Sequence, residues 1–431
     1  MKTYPQVPWI ALLGLFFVAC SRGGAPQGQP GSTAVVPPVA AAASPATAKP
    51  ALTASQRDLL QLAFDAASKF PPVQHRKNRS RAQEVVVVAA FELGDPEFAV
   101  ALGAKIADWR RGCAYADFAW AMARRGEPAR AREYVALAEG VVRDERDDPN
   151  AQEWRADLIQ LKVARALSAL GDVDAAARAS GAIDQASTHA VDAAWTATAA
   201  ERVSAMTAER APAEFAALDQ GFATMSLGQQ ATTMTLVARM HGRFFADAAL
   251  RRACEERVAV TWNKTMPTLR LDALATMVRN CHEQADGGRA AELLTTMRAI
   301  VEGHRWRSED RMPQVARLVE LARLLGQTDR ARAEAEAALK AYQDERDGIV
   351  DIYRAETLRP LALAWFALGD RERGEDLFAL AIEEGMENPN SRPRCDDLVD
   401  ACVDLARAGV DPSPKTWARL REIQKELGEP W

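Results

Sequence analysis

The chain has 431 residues, with 54 Lys or Arg against 59 Asp or Glu and a formal net charge of −5. That balance excludes a dedicated nucleic-acid binder, whose phosphate-tracking surface makes a whole domain basic. A composition 48% hydrophobic and 26% charged excludes wholesale disorder. The length suits two or three ordinary domains or one repeat array. Eight of the 22 prolines fall in the first 53 residues, so the opening is a different kind of polymer from the rest.

Only Lys2 is charged before the apolar run from Trp9 to Ala19, which ends at Cys20. Such a run is too short to cross a bilayer core of about 30 Å as a helix, so it reads as the apolar region of a signal peptide. Its tail, Phe17-Val18-Ala19-Cys20, resembles the lipobox of bacterial lipoproteins, although Leu is commoner than Phe at the first position. The resemblance implies cleavage after Ala19 and lipid on Cys20. Ser21, with no Asp at that position, implies the periplasmic face of a Gram-negative outer membrane. The alternative is an ordinary secretory signal followed by a chance cysteine. Residues 20–53 are rich in Pro, Ala and Gly, with only Arg22 and Lys49 charged. They carry too little apolar surface to offset ordering and read as a tether with a reach on the order of 30 Å.

From residue 54 to 431 the expectation is one all-α body. Apolar residues recur at helical spacing, strand-like alternation is nearly absent, and even Val85 to Val88 sit inside a helical pattern. Asp95-Pro96 and Ser413-Pro414 read as helix starts, with Glu127-Pro128 a weaker version. The pattern predicts about nineteen helices paired as antiparallel hairpins by short turns. Four segments share one frame, exemplified by Leu361-Ala362-x-x-Trp365-x-x-x-Gly369-Asp370-x-x-x-Gly374, and a weaker copy runs from Val86 to Ala99. The small residue lets paired helices approach closely, and Gly permits a tight exit from the first helix.

This frame resembles the tetratricopeptide repeat, best over residues 355–385. Turn glycines at 94, 126, 171, 287, 326, 369 and 409 lie 32 to 45 residues apart where neighbours can be paired, against about 34 in that family. Between 171 and 287 the frame fades, with turns placed near Ala211-Pro212 and Gly242. The resemblance implies a right-handed α-solenoid of irregular repeat length, with a groove that binds a protein or peptide. On the family's pattern the groove-facing residues are Arg81, Glu84, Trp120, Arg124, Arg165, Glu320, Arg323, Arg359 and Phe366. A mixed Arg, Glu and aromatic face suits an extended peptide.

No histidine pair has the spacing of a metal-binding helix, and no nucleophile elbow, phosphate loop or dinucleotide fingerprint is present. The reading is therefore non-catalytic, with no metal and no cofactor. Cys254 and Cys281 are placed for a disulfide across a predicted hairpin, with reduced, core-packed thiols as the alternative. The run Arg76-Lys77-Asn78-Arg79-Ser80-Arg81 is expected in the turn before the second helix. There it is either a solvated loop or a contact for anionic headgroups or an acidic partner. Together these features describe an envelope scaffold or assembly lipoprotein, held to the membrane through Cys20, whose partner is a protein or peptide. The alternative is a cell-wall or glycan-handling lipoprotein, enzyme or binding protein, on a helical toroid; an enzyme of that kind requires convergent carboxylates in a closed cavity.

Overall fold

The computed structural model describes residues 52–183, 203 and 206–431. The signal segment, Cys20 and the tether up to residue 51 lie outside the described residues. Among the described residues the chain is all-helical, with eighteen α-helices and no strand. The first seven are α1 (Ala54–Ala67), α2 (Arg76–Glu92), α3 (Pro96–Gly103), α4 (Arg110–Arg124), α5 (Pro128–Asp147), α6 (Glu153–Ala169) and α7 (Val173–Gly181). Next come α8 (Ala211–Gly221), α9 (Leu227–Arg243), α10 (Ala248–Glu256), α11 (Pro267–Glu283), α12 (Gly287–Gly303) and α13 (Ser308–Leu324). The last five are α14 (Thr328–Glu345), α15 (Asp351–Ala367), α16 (Arg371–Met386), α17 (Ser391–Ala408) and α18 (Pro414–Glu426).

The Gly-Asp pair of the repeat frame performs two jobs at once. At the turn from α15 to α16, Gly369 takes a left-handed φ of 81°. The next N–H, from Asp370, reaches back to the carbonyl of Trp365 at 3.1 Å. This is a Schellman closure, which satisfies carbonyls orphaned at the helix end. The Asp370 side chain then accepts from the N–H of Arg373 and caps α16. The same closure recurs after α2, α4, α6, α13 and α17, and Asp95 and Asp172 cap the helices that follow as Asp370 does.

Two glycine assignments change. After α11 the left-handed position belongs to Ala285 (φ 58°), with Asp286 closing onto Cys281, while Gly287 is the first residue of α12. Gly242 lies inside α9, where a Cβ would stand 3.0 Å from the Asn280 side chain of α11; it permits close helix approach and makes no turn. Ala211-Pro212 likewise opens α8, with proline in the first turn, its missing N–H costing nothing there.

The hairpins stack in two rows. One row holds α2, α4, α6, α9, α11, α13, α15 and α17, each packed on its neighbours in the row where both are described; α3, α5, α7, α10, α12, α14 and α16 form the other. The array is thus a solenoid, and its ends meet. Helix α1 packs against α17 and takes the second-row place beside it, while α2 joins α17 as the next member of the first row. Leu59, Leu60, Ala63 and Phe64 of α1 share one continuous core with Cys395, Leu398, Val399 and Cys402 of α17. Across this seam Ser55 Oγ donates to Asp411 at 2.7 Å and Gln56 Nε2 to the Ala406 carbonyl at 2.8 Å. Arg407 forks onto Glu92, and Phe70 meets Trp431 at a centroid distance of 4.9 Å. The step from α7 to α8 runs through residues outside the described set.

Candidate partner-binding face

First-row helices present charged side chains toward one another, and ion pairs bridge successive members of the row. Arg110 of α4 meets Glu84 of α2 at 2.7 Å, and Lys162 and Arg165 of α6 meet Asp117 of α4 at 2.5 and 3.3 Å. Arg317 of α13 reaches Asp272 of α11 at 2.6 Å, beside Arg279–Glu320 at 3.0 Å. Arg359 of α15 takes three aspartates of α17: Asp397 at 2.9 Å, Asp404 at 3.1 Å and Asp400 at 3.3 Å.

Several carboxyls along this row are raised by desolvation although they touch solvent, as on a recessed face. Asp400 exposes 46% of its side chain, yet crowding by protein strips enough water to lift its carboxyl to about 7 against the pull of Arg359. Exposed Asp396 is pushed up to about 6 by the same cause, and Glu356, Asp272 and Glu84 are also raised by desolvation. Side chains that touch solvent and still lose hydration line a concavity. At two turns the opposite holds: Arg130 holds Glu97 low, and Arg332 holds Asp370 low.

The expected groove residues divide. Trp120, Arg124 and Arg165 come together, the two guanidinium groups lying 5.0 and 4.7 Å from the Trp120 ring. Trp120 is half-buried and Arg124 exposed, so an anchor face is open there. Glu84 and Glu320 sit on the same row but are engaged by Arg110 and Arg279. Arg81 lies near enough to Asp396 to pull its carboxyl down, and Arg323 is half-buried on α13. Arg359 is only 5% exposed and is held by its aspartates. Phe366 lies against Gly374 of α16, where an added Cβ would stand 2.8 Å from the ring, so it seals a hairpin. The stripe Asp397, Asp400, Asp404 was not among the expected residues, although its spacing on one helix is visible in the sequence.

The basic run is not a loop. Helix α2 begins at Arg76, after a turn closed by His75 N–H on the Pro71 carbonyl. Arg79 donates to the Phe70 carbonyl and braces the α1–α2 corner, while Arg76 donates to the Ala107 carbonyl and ties the start of α2 to the α3–α4 turn. Lys77 is exposed.

All five cysteines among the described residues are buried free thiols, Cys254 and Cys281 included. Burial raises the thiols of Cys254 and Cys281 to about 12 and about 11, which keeps them protonated and unreactive. Cys281 joins His241 and Glu255 in a buried group whose donor atoms lie within 4.8 Å of one another. The Asn280 amide nitrogen donates to the Ala238 carbonyl and faces His241 Nδ1, which places the imidazole proton on Nε2, donating to Glu255 Oε1 at 3.1 Å. Burial alone would raise Glu255, but hydrogen bonds from His241 and Arg289 outweigh it and hold the carboxyl low. The group is a satisfied hydrogen-bond network joining α9, α10, α11 and α12, with the Nε2 lone pair already occupied by its proton.

No protein-family model matches the chain, and no curated protein aligns with it.

Proposed function

We propose that the protein is a non-catalytic envelope scaffold, anchored through lipid on Cys20 at the periplasmic face of an outer membrane, which holds a polypeptide partner along the first-row recess. The observation that carries this reading is the Trp120–Arg124 pair: a half-buried aromatic ring with an exposed guanidinium over it, backed by the buried Arg165 that Asp117 holds. Arg and Trp are the side chains that most often anchor protein contacts. Replacing Trp120 with a photo-crosslinking residue in intact envelopes should capture a polypeptide, whereas the same residue at Leu137 on α5 should not. Cys20→Ala should move the protein from the membrane to the soluble fraction and abolish the capture. Capture at neither position, or equally at both, would count against the scaffold reading.

A second reading, a glycan-handling protein, is favoured by the convergence of Asp396, Asp397, Asp400 and Asp404 in the recess near the joined ends of the array. It is the weaker one because Asp397, Asp400 and Asp404 all spend oxygens on Arg359, whereas an acid–base pair must direct its oxygens at substrate. Release of soluble fragments from purified cell wall, lost in Asp400→Asn, would reverse this preference.

A further inference from the structure

His241, Glu255 and Cys281 converge from three helices, α9, α10 and α11, and their donor atoms lie within 4.8 Å of one another. No ligand spacing in the sequence marks them, because they stand 14 and 26 residues apart. His241 and Cys281 are 0% exposed and Glu255 2%. Imidazole, thiolate and carboxylate are the donor set of zinc-class divalent ions, whose tetrahedral bonds of about 2.0–2.3 Å hold neighbouring ligand atoms about 3.3–3.6 Å apart. His241 Nε2 already stands 3.1 Å from Glu255 Oε1, so roughly 1 Å of side-chain movement closes the set.

The surroundings supply what such a centre needs. Arg289 Nε holds the other carboxylate oxygen of Glu255, Oε2, at 3.0 Å and so leaves Oε1 directed at the cluster. A cavity of about 390 Å³ reaches Glu255 from the surface. Its arginines, Arg251, Arg252 and Arg289, are matched by Glu255, Asp286 and Glu292, so no net charge bars a cation. Asn280 sets the cost. Its amide nitrogen faces Nδ1 at 3.3 Å, so an ion on Nε2 must send the imidazole proton to Nδ1 and turn the amide to accept it, at the expense of the bond to the Ala238 carbonyl. Gly242 stands against that amide without a Cβ, which leaves it room to rotate.

We infer that His241 Nε2, Glu255 Oε1 and Cys281 Sγ bind one zinc-class divalent ion, with water from the cavity as the fourth ligand. Proton and ion are alternative occupants of the Nε2 lone pair. Binding releases the Cys281 thiol proton to solvent, moves the imidazole proton from Nε2 to Nδ1 and leaves the Glu255 carboxylate charged throughout. Thiolate and carboxylate then cancel the double charge of the ion, so the buried centre is neutral and Arg289 keeps its partner. The ion ties α9, α10 and α11 at one point. This site is separate from the recess and from lipid on Cys20, and stands or falls independently of both.

The test uses the full chain carrying Cys20→Ala, stripped with chelator and titrated with cobalt(II) as a spectroscopic stand-in for zinc. Saturation at about one ion per chain is expected, with a near-ultraviolet thiolate-to-cobalt band and the strong visible bands of a tetrahedral site. Affinity should rise about tenfold from about pH 7 to about pH 8, since one thiol proton leaves per ion. Cys281→Ala should abolish the thiolate band, whereas Cys254→Ala, at an equally buried neighbour, should keep it. Zinc should raise the melting temperature of the starting chain and leave that of Cys281→Ala unchanged. X-ray absorption by the zinc-loaded chain needs no substitution in the cluster and should count a single sulfur on the ion, so the inference stays testable if Cys281→Ala fails to fold. No thiolate band in the starting chain overturns the inference, as does a band that survives Cys281→Ala or depends equally on Cys254. A sulfur count of zero, or of more than one, overturns it too.

Discussion

At Asp400 a single carboxyl reports the shape of the whole recess. It is raised because neighbouring protein displaces water, so its native form holds a proton to higher pH than the unfolded chain does. Between about pH 4 and about 7 the folded state therefore binds more protons than the unfolded one, and this group's contribution to stability falls as pH rises through that window. Asp396, raised to about 6, acts in the same direction. Asp400→Asn removes the effect and leaves Arg359 with Asp397 and Asp404. Its melting temperature relative to wild type should rise from pH 5 to pH 8, by no more than about 1 kcal/mol in stability, since the side chain is 46% exposed and solvent screens it. A difference that stays flat across the range would mean that the carboxyl is not desolvated and the recess is shallower than described. The sequence displays the acidic stripe of α17 but not its partner. Arg359 is 38 residues or more from each aspartate in the chain, and only the stacking of α15 on α17 brings them together.

At the level of the helix, the turn frame was legible because its physics is local: a left-handed residue, a backward N–H bond and an aspartate cap all lie within a few positions of one another. Gly287 is not the turn residue, because the left-handed position need not be glycine. Ala285 occupies it at φ 58°, at a cost of roughly 1–2 kcal/mol for an L-residue. Glycine there would relieve that strain while adding about 0.4–1 kcal/mol of unfolded-state entropy. The first term is larger, so Ala285→Gly should stabilise by about 0.5–1 kcal/mol, read as a higher denaturant midpoint at unchanged slope. The mirror substitution, Gly369→Ala, meets no neighbour within 4 Å but enters the same strained region, and should destabilise by a similar amount. If both changes move stability in the same direction, the left-handed closure is not what these turns require.

At the level of the molecule, the meeting of the two ends changes what a local defect does. In an open solenoid each unit touches only its sequence neighbours, so damage to the first helix stays near the first helix. Here α1 completes the pairing of α17, more than 300 residues away, through a shared core and through side-chain bonds such as Gln56 to the Ala406 carbonyl. Nothing in the sequence marks this partnership, because the contact carries no motif and spans nearly the whole body. Leu60 is fully buried in that core, and Leu60→Ala should cost about 2–5 kcal/mol as lost burial and residual cavity. The location of the loss is the sharper prediction. Hydrogen exchange should quicken in α17 and α18 as much as in α2, because the seam opens as one unit and frees the face of α17 carrying Leu398 and Cys402. Glu92→Gln, by contrast, removes one partly exposed ion pair across the same seam and should change stability by less than about 1 kcal/mol. Faster exchange confined to residues 54–92 in Leu60→Ala would show that the ends merely touch. Faster exchange at both ends would establish that the array holds itself closed, with α1 and α17 opening as one unit.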